Sequence, residues 1–333
     1  MSRSVPVFSH PESGASLVGA LLLVAVMASM AMMLAGDLRV SMRRSANMDG
    51  RDQAYWYAMG AREYASGLIA NAMVEPAIAL RPDAAWLRTA REFPIERGVL
   101  SGRISDGNNC FNLNGLVVDD GQGGLVANAV QRSQLERLLV ALDVPTADAA
   151  RLAAQASDWI DSDTRPMPGG GEDGLYAGLD LPYRTGNTLM AEREEMLALA
   201  SMTPTLYRRI KPYVCTRPVA ALMPLNINTL ASSDWPLLVA VFDGELGRIA
   251  AEGILLSRPS AGFASAEGFW ALEPVQDLTP DATLREAVGV ETRYFDVAVD
   301  VLHDGQSYRL DAVYEWRGGS TLTRLTQRYG YAQ

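Results

Sequence analysis

The sequence predicts an α+β protein in which one long N-terminal helix packs on a small antiparallel β-sheet, with a large all-helical domain inserted between the strands. Three observations carry this reading. No proline occurs from Ala15 to Glu75. Two β-patterned stretches stand far apart, near Gly98 and after Tyr294. The long sequence between them is patterned for helices rather than strands.

The N-terminal helix comes first. Ala15 to Gly36 is uncharged, preceded by the polar stretch Met1–Gly14 and followed by Asp37, Arg39, Arg43 and Arg44. Such a run is long enough to span a bilayer. The small pair Gly14-Ala15 lies before the apolar run, whereas a secretory signal is cut beyond its own. Cleavage between them would leave the whole apolar helix as the N-terminus of the mature chain. Beyond the span, Ala54, Ala58, Ala61, Ala65, Leu68 and Ala72 recur at helical spacing and predict one buried stripe. Uninterrupted, this helix reaches about 90 Å at ~1.5 Å per residue. Pro76 and Pro82-Asp83 end it.

The strands follow from alternation. Phe295, Val297, Val299 and Val301 alternate with Asp296, Ala298 and Asp300. After Asp304-Gly305 a second run alternates through Tyr308, Leu310, Ala312, Tyr314 and Trp316. This pattern predicts a hairpin with one buried face. Gly98–Ser105 reads as a further strand. Between the β pieces, helices are expected over Gln134–Leu142, Asp148–Ile160, Thr188–Ala200, Thr205–Ile210, Trp235–Phe242 and Gly247–Ser257, several after cap-like residues such as Ser133, Thr146 and Ser233. The expected organisation is a leader (1–14), a membrane part of the helix (15–36) and its amphipathic part (37–75). A sheet domain (76–115 and 289–333) and an inserted helical domain (116–288) complete it.

Composition narrows the function classes. The chain has 333 residues and a net charge of -10, a poor balance for a polyphosphate partner, so nucleic acid is not expected. Of the two histidines, His10 lies in the leader and leaves only His303 to serve as a base. An enzyme is not expected. The two cysteines, Cys110 and Cys215, occupy similar contexts just before Phe111-Asn112-Leu113-Asn114 and a little before Leu225-Asn226-Ile227-Asn228-Thr229. Either they pair, closing a loop of about 105 residues worth ~4–5 kcal/mol by the chain-entropy model, or they are two buried thiols.

The densest polar segment runs from Asp158-Trp159-Ile160-Asp161-Ser162-Asp163 through Pro166-Met167-Pro168 and Gly169-Gly170-Gly171 to Glu172-Asp173. Proline and glycine can fold it back so that carboxylates converge. Several hard oxygens on a flexible loop suit Ca²⁺, though the order is not that of an EF-hand; the alternative is a solvated acidic loop. Paired carboxylates also serve glycosidases, but no aromatic sugar platform can be read nearby. The stretch Asn226–Phe263 resembles a helix-hairpin-helix unit, which would make a membrane-tethered DNA-binding protein the alternative function. Its hairpin, Asp243-Gly244-Glu245, puts carboxylates where phosphate would sit, and the asparagines read as caps and turn formers.

Taken in order, Gly14-Ala15, Arg51-Asp52-Gln53-Ala54, Cys110-Phe111-Asn112-Leu113-Asn114, the Trp159–Asp173 loop, Pro182-Tyr183-Arg184, Pro212-Tyr213-Val214-Cys215 and Leu225-Asn226-Ile227-Asn228-Thr229 resemble the K-type minor pseudopilins of the type II secretion system. The resemblance implies a pilin-like fold with a helical insertion. It implies cleavage after Gly14 by the prepilin peptidase, with methylation of the new amine on Ala15. Gly19 then stands fifth, where most pilin-like subunits carry a glutamate that pairs with a neighbour's N-terminal amine. It further implies a calcium site, placed on Asp161, Asp163, Glu172 and Asp173. The expected partners are the I- and J-type minor pseudopilins, in a complex that starts and caps the pseudopilus. The expected location is the inner membrane, single-pass, with the folded part in the periplasm. Two departures from the pattern stand out. Ser13 replaces the basic residue usual before the cleavage glycine, and Arg39, Arg43 and Arg44 flank the periplasmic side, against the positive-inside rule.

Overall fold

The computed structural model describes residues 13–330 apart from 85, 88, 243, 279–281 and 320. The leader through Glu12, including His10, lies outside the described residues. The chain opens with α1 (Ser13–Ala72) and the short α2 (Pro76–Ala79), then β1 (Arg91–Ile95) and β2 (Gly98–Asp106). It leaves the sheet through β3 (Phe111–Asn112), β4 (Val117–Asp119), β5 (Leu125–Ala127), α3 (Ala129–Ala141), α4 (Thr146–Ile160), α5 (Asp173–Tyr176) and α6 (Pro204–Ile210). Next come β6 (Val214–Cys215), β7 (Leu225–Asn226), α7 (Trp235–Val241), α8 (Arg248–Ser257), α9 (Ala266–Trp270), α10 (Glu273–Gln276), α11 (Ala282–Glu286) and β8 (Val288–Gly289). It returns as β9 (Tyr294–His303), β10 (Gln306–Trp316) and β11 (Leu322–Gly330).

Five antiparallel strands form the sheet in the order β1-β2-β9-β10-β11. The β9–β10 turn is the expected one: Asp304 and Gly305 both have positive φ, 48° and 75°, the geometry that closes a two-residue hairpin along the sheet's own twist. Register then places Val299 opposite Leu310 and Val297 opposite Ala312, and Leu100 opposite Val301. These side chains share one face and bury Ala54, Ala58, Ala65 and Ile69 of α1. The stripe on α1 continues at Ile69 and Met73 rather than Leu68 and Ala72, which are only half-buried. Four-residue steps carry it there. Alternation missed both edge strands, β1 and β11, because neither has a fully buried face.

A second core, around Leu135, Leu138, Leu152, Leu237 and Ile254, belongs to the insertion. Three differences from the sequence reading are clear. Phe111, Leu113 and Leu116 pack in this second core, so the chain leaves the sheet at Asp106 rather than at 115, and Val288 joins them, moving the return to Tyr294. The insertion is not all-helical: it holds the parallel pairs β3–β6 and β7–β8 and the hairpin β4–β5. The helix expected over Thr188–Ala200 is one short 3-10 turn, Arg193–Ala198. Asn114 takes both backbone groups of Met190 outside any helix, and Glu195 accepts the N–H groups of Ala191 and Glu192, capping the turn where it starts. Helix α3 begins before Ser133, capped by Asn128.

The asparagine echoes do more than cap. Asn114 accepts from the N–H of Met190 and donates to its carbonyl, at 2.8 and 2.9 Å. Asn228 does the same with Phe263, at 2.8 and 2.9 Å. Each amide thus mimics one rung of a β-ladder, fastening a distant loop to the strand before it.

The two chain crossings between sheet and insertion lie side by side. Gly107 donates to the Tyr294 carbonyl at 2.7 Å, and Asn108 Oδ1 accepts from Arg293 and Tyr294 at 3.0 and 2.9 Å. Cys110 and Cys215 are joined as a disulfide, their Cα atoms 5.8 Å apart. Arg217, 2 % exposed, bridges the Gly107 carbonyl (2.7 Å) and Asp296 (2.8 Å) and lies over the Tyr294 ring. A buried guanidinium is tolerated only with such partners. At the far end, Arg328 of β11 pairs with Glu192 and Glu194 at 2.8 and 2.9 Å.

Two predictions follow from this seam. Replacing Cys110 and Cys215 together by alanine lowers stability by up to about 4–5 kcal/mol, the loop-closure entropy of the linked chain, read by urea unfolding of the full chain under oxidising conditions. Asp106, buried and accepting from Asn108, Thr229 and Thr292, has its pKa pushed up by burial to about 6 against the lowering pull of those bonds. A raised folded pKa gives stability that is present below the unfolded value, near 4, and lost as pH rises through 6. Asp106→Asn therefore matches wild type near pH 4 and overtakes it by up to about 3 kcal/mol at pH 7; unfolding curves that stay parallel from pH 4 to 7 refute this.

Candidate metal centre

Helix α4 ends in the acidic segment. Asp158 sits in its last turn with no exposure, and Asp161, the C-cap residue, turns into extended backbone. Ser162 then pairs with β5, donating its N–H to the Leu125 carbonyl at 2.9 Å and accepting the Leu125 N–H on its hydroxyl at 2.9 Å. This fixes the start of the loop.

The fold-back is imposed by Asp158. Its Oδ2 accepts the N–H groups of Met167 and Gly171 at 3.0 and 2.8 Å, drawing the loop over the helix end. Gly170 lies so close that a Cβ there would stand 2.0 Å from Asp158 Oδ2. Part of the glycine run is therefore a requirement of close approach rather than of flexibility.

Folding back brings Glu172 to Asp161 and Asp163. One oxygen from each lies within 4.8 Å of the others. Asp161 and Glu172 are buried, and Asp163 is exposed. Asp161 Oδ1, Glu172 Oε1 and Asp158 Oδ1 are buried without a hydrogen-bond partner, which ordinarily costs the full desolvation of the group. Burial, followed by the charges of Asp163 and Asp158, pushes Asp161 up to about 7. Burial and the charges of Asp158 and Asp161 push Glu172 up to about 7 as well, and burial raises Asp158. Unpaired oxygens and mutually repelling carboxylates are what a hard divalent cation satisfies. The residues present fit such an ion.

Asp173 does not join them. Glu172 stands at the N-terminal end of α5 and Asp173 is its first residue; both carboxylates reach the Thr185 hydroxyl, at 3.4 and 3.0 Å, but only Glu172 also reaches Asp161 and Asp163. Asp173 Oδ1 accepts from the N–H and hydroxyl of Thr185, both at 3.0 Å, and its Oδ2 faces Arg184 at 3.8 Å. It pins the returning strand of the loop. Asp158, which sequence reasoning passed over, takes its place as the organising acid. Its three-residue spacing from Asp161 on one helix was the available signal.

The other sites named from sequence fall elsewhere. Gly14 and Ala15 lie in the first turn of α1, and Gly19 is exposed with open space around it. Helix α1 is long and apolar enough to cross a membrane, and its apolar part is not buried by the rest of the chain. In the helix-hairpin-helix-like stretch, α7 and α8 turn inward on Leu237, Leu238, Ile254 and Leu255. Arg248 stacks on Trp235 and pairs with Glu252. Asp243 lies outside the described residues. Nothing in this module supports contact with DNA. His303 stands at the end of β9 in the sheet, away from the carboxylates of the insertion.

Comparison with known proteins agrees with this architecture. Family models described as Type II secretion system (T2SS), protein K, match residues 109–219 and 225–291. The two matched segments each open on one of the asparagine echoes. The chain is 33% identical to the type II secretion system protein K of Pectobacterium carotovorum subsp. carotovorum, over 87% of this chain and 88% of that one. It is 31% identical to the protein K of Aeromonas hydrophila, over 97% and 98%. Among solved structures it resembles a chain in the crystal structure of the GspK-GspI-GspJ complex from the enterotoxigenic Escherichia coli Type 2 Secretion System, with a TM-score of 0.75 and 25% identity, covering 87% of this chain and all of that one. By sequence along nearly its whole length and by fold, the chain belongs to the type II secretion system protein K family, the K-type minor pseudopilins.

Proposed function

We propose that this chain assembles with I- and J-type minor pseudopilins, without catalysing a reaction, into the complex that starts and caps a periplasmic pseudopilus for protein export across the outer membrane. The observation that carries this is the likeness, in fold and over most of the chain, to a protein K crystallised together with GspI and GspJ. The apolar, unburied first part of α1 supports an inner-membrane anchor with the folded part in the periplasm. Cleavage by the prepilin peptidase after Gly14 would leave Ala15 as a methylated N-terminus and Gly19 fifth. A carboxylate at that depth is expensive unless a neighbour's amine pairs with it. A subunit without one suits a tip that nothing stacks upon, and the bulk of the helical insertion opposes further growth there.

A bound Ca²⁺ belongs with this reading. Asp161, Asp163 and Glu172 would hold it, and its charge would offset the repulsion among them. Asp158 shapes the loop around them, and the outcome is structural: the end of α4 is tied to the start of α5.

Three measurements test these statements. Ca²⁺ at about a hundred times its Kd stabilises the native chain by about 2.7 kcal/mol relative to chelator, seen as a higher melting temperature. Asp161→Ala and Glu172→Ala abolish that difference while Asp173→Ala keeps it; no shift for wild type at millimolar Ca²⁺ removes the site. Intact mass of the membrane-extracted chain, from cells with active prepilin peptidase, corresponds to residues 15–333 plus one methyl group; a mass that retains the leader contradicts cleavage after Gly14 and with it the pseudopilin assembly reading. The full chain co-purifies with I- and J-type subunits from detergent, and failure to do so counts directly against the assembly role.

A further inference from the structure

The three arginines that oppose the positive-inside rule take no part in the fold. The sheet first meets α1 at Gly50, which is buried; a Cβ built there would stand 3.7 Å from Cβ of Asp304, in the β9–β10 turn. Every residue of α1 from Asp37 to Asp49 is exposed, a bare neck of roughly 20 Å at ~1.5 Å per residue. Arg39, Arg43 and Arg44 stand in its first half, with Asp37 the only carboxylate between Gly36 and Asn47. Among the described residues none of the three arginines is in an ion pair.

Helix direction decides what they can reach. Side chains on an α-helix lean toward its N-terminus and cover the turn before their own Cα. The N-terminal end of α1 is the apolar end. Measured from Gly36, Arg39 lies about 4.5 Å along the axis, and Arg43 and Arg44 about 10–12 Å. One turn back, ~5 Å, brings all three guanidinium groups within roughly 7 Å of the end of the apolar run. The polar layer on each side of a bilayer's hydrocarbon core is about 5–7 Å deep. Arg39 and Arg43, four residues apart, share one face of the helix, and Arg44 stands about 100° round from Arg43.

We propose that Arg39, Arg43 and Arg44 form a collar that binds the phosphate groups of anionic lipids, in the leaflet facing the folded part, and so sets the depth of α1 in the bilayer. This deepens the membrane-anchor reading above and rests on it. A lipid phosphate offers the oxygens that a guanidinium grips two at a time. Within the span no charged side chain fixes the helix, since Ala15 to Gly36 carries none; the collar fixes it from outside. The net charge of -10 does not cancel this attraction. The folded part starts about 20 Å beyond Gly36, and at physiological salt exposed charges are screened over ~8 Å.

The test reads lipid preference. The full chain, wild type or with Arg39→Gln, Arg43→Gln and Arg44→Gln together, is reconstituted in phosphatidylcholine vesicles. Spin-labelled phosphatidylglycerol and spin-labelled phosphatidylcholine report which lipid gathers at the protein. Wild type prefers phosphatidylglycerol at least about fivefold, the equivalent of ~1 kcal/mol, which one arginine near an anionic surface supplies. On wild type, 1 M salt shortens screening to ~3 Å and removes most of the preference; a preference that salt leaves untouched overturns the collar. The triple variant shows no preference, and in detergent it melts at the wild-type temperature because the neck packs on nothing. Equal preference in the two chains overturns the collar and leaves the anchor standing; if that variant also captures the I- and J-type subunits poorly, the arginines serve subunit contact instead. A wild-type chain that alkaline carbonate washes off the vesicles overturns both.

Discussion

β2 and β9 lie side by side in one sheet, yet the chain travels from Asp106 to Tyr294 between them. The whole insertion therefore hangs from two adjacent crossings, and these must be stiff for the two cores to act as one body. Hydrophobic contact cannot supply that stiffness, because each core closes on itself. Directed bonds supply it instead. Asn108 accepts from both residues of the returning strand, Arg217 spans from Gly107 to Asp296, and the Cys110–Cys215 bond ties the first crossing to the middle of the insertion. Groups this deeply buried and this fully bonded specify one arrangement.

The same logic recurs at the end of α4. One buried carboxylate, Asp158, folds a loop over the helix terminus through two backbone N–H groups. The loop's own carboxylates then converge, and burial with their mutual repulsion raises the pKa values of Asp161 and Glu172. In the seam, arginine and a disulfide settle the geometry; in the loop, the proposed cation would be the counterpart. The insertion is thus held by polar fastenings at two levels, with the asparagine pairs Asn114–Met190 and Asn228–Phe263 between them.

Helix α1 joins two environments. Its first part is apolar all round, as a bilayer requires, and its second part narrows to the stripe of Ala54, Ala58, Ala65 and Ile69 that the sheet covers. Alanine at these positions lets the helix backbone lie close to the strands, and so leaves the neighbouring aromatics Trp56 and Tyr64 standing outward. Which residues of α1 close the protein's own core and which stand outward is set by the same helical period.

Local pattern alone determined the long helix, the β9–β10 hairpin with its Asp304-Gly305 turn, the helical middle of the chain, and the acidic loop as a unit. Each of these rests on residues within one or two turns of one another, where periodicity and turn chemistry act directly. The partnership of chain segments was beyond that reach. That Asp173 turns to Thr185 while Asp158 shapes the loop, that Phe111 belongs to the insertion and not to the sheet, and that Met190 is bound by Asn114 where a helix was expected all depend on groups brought from far along the chain. Burial decides which carboxylate lacks a partner, and burial belongs to the folded chain. Only the tertiary structure could settle it.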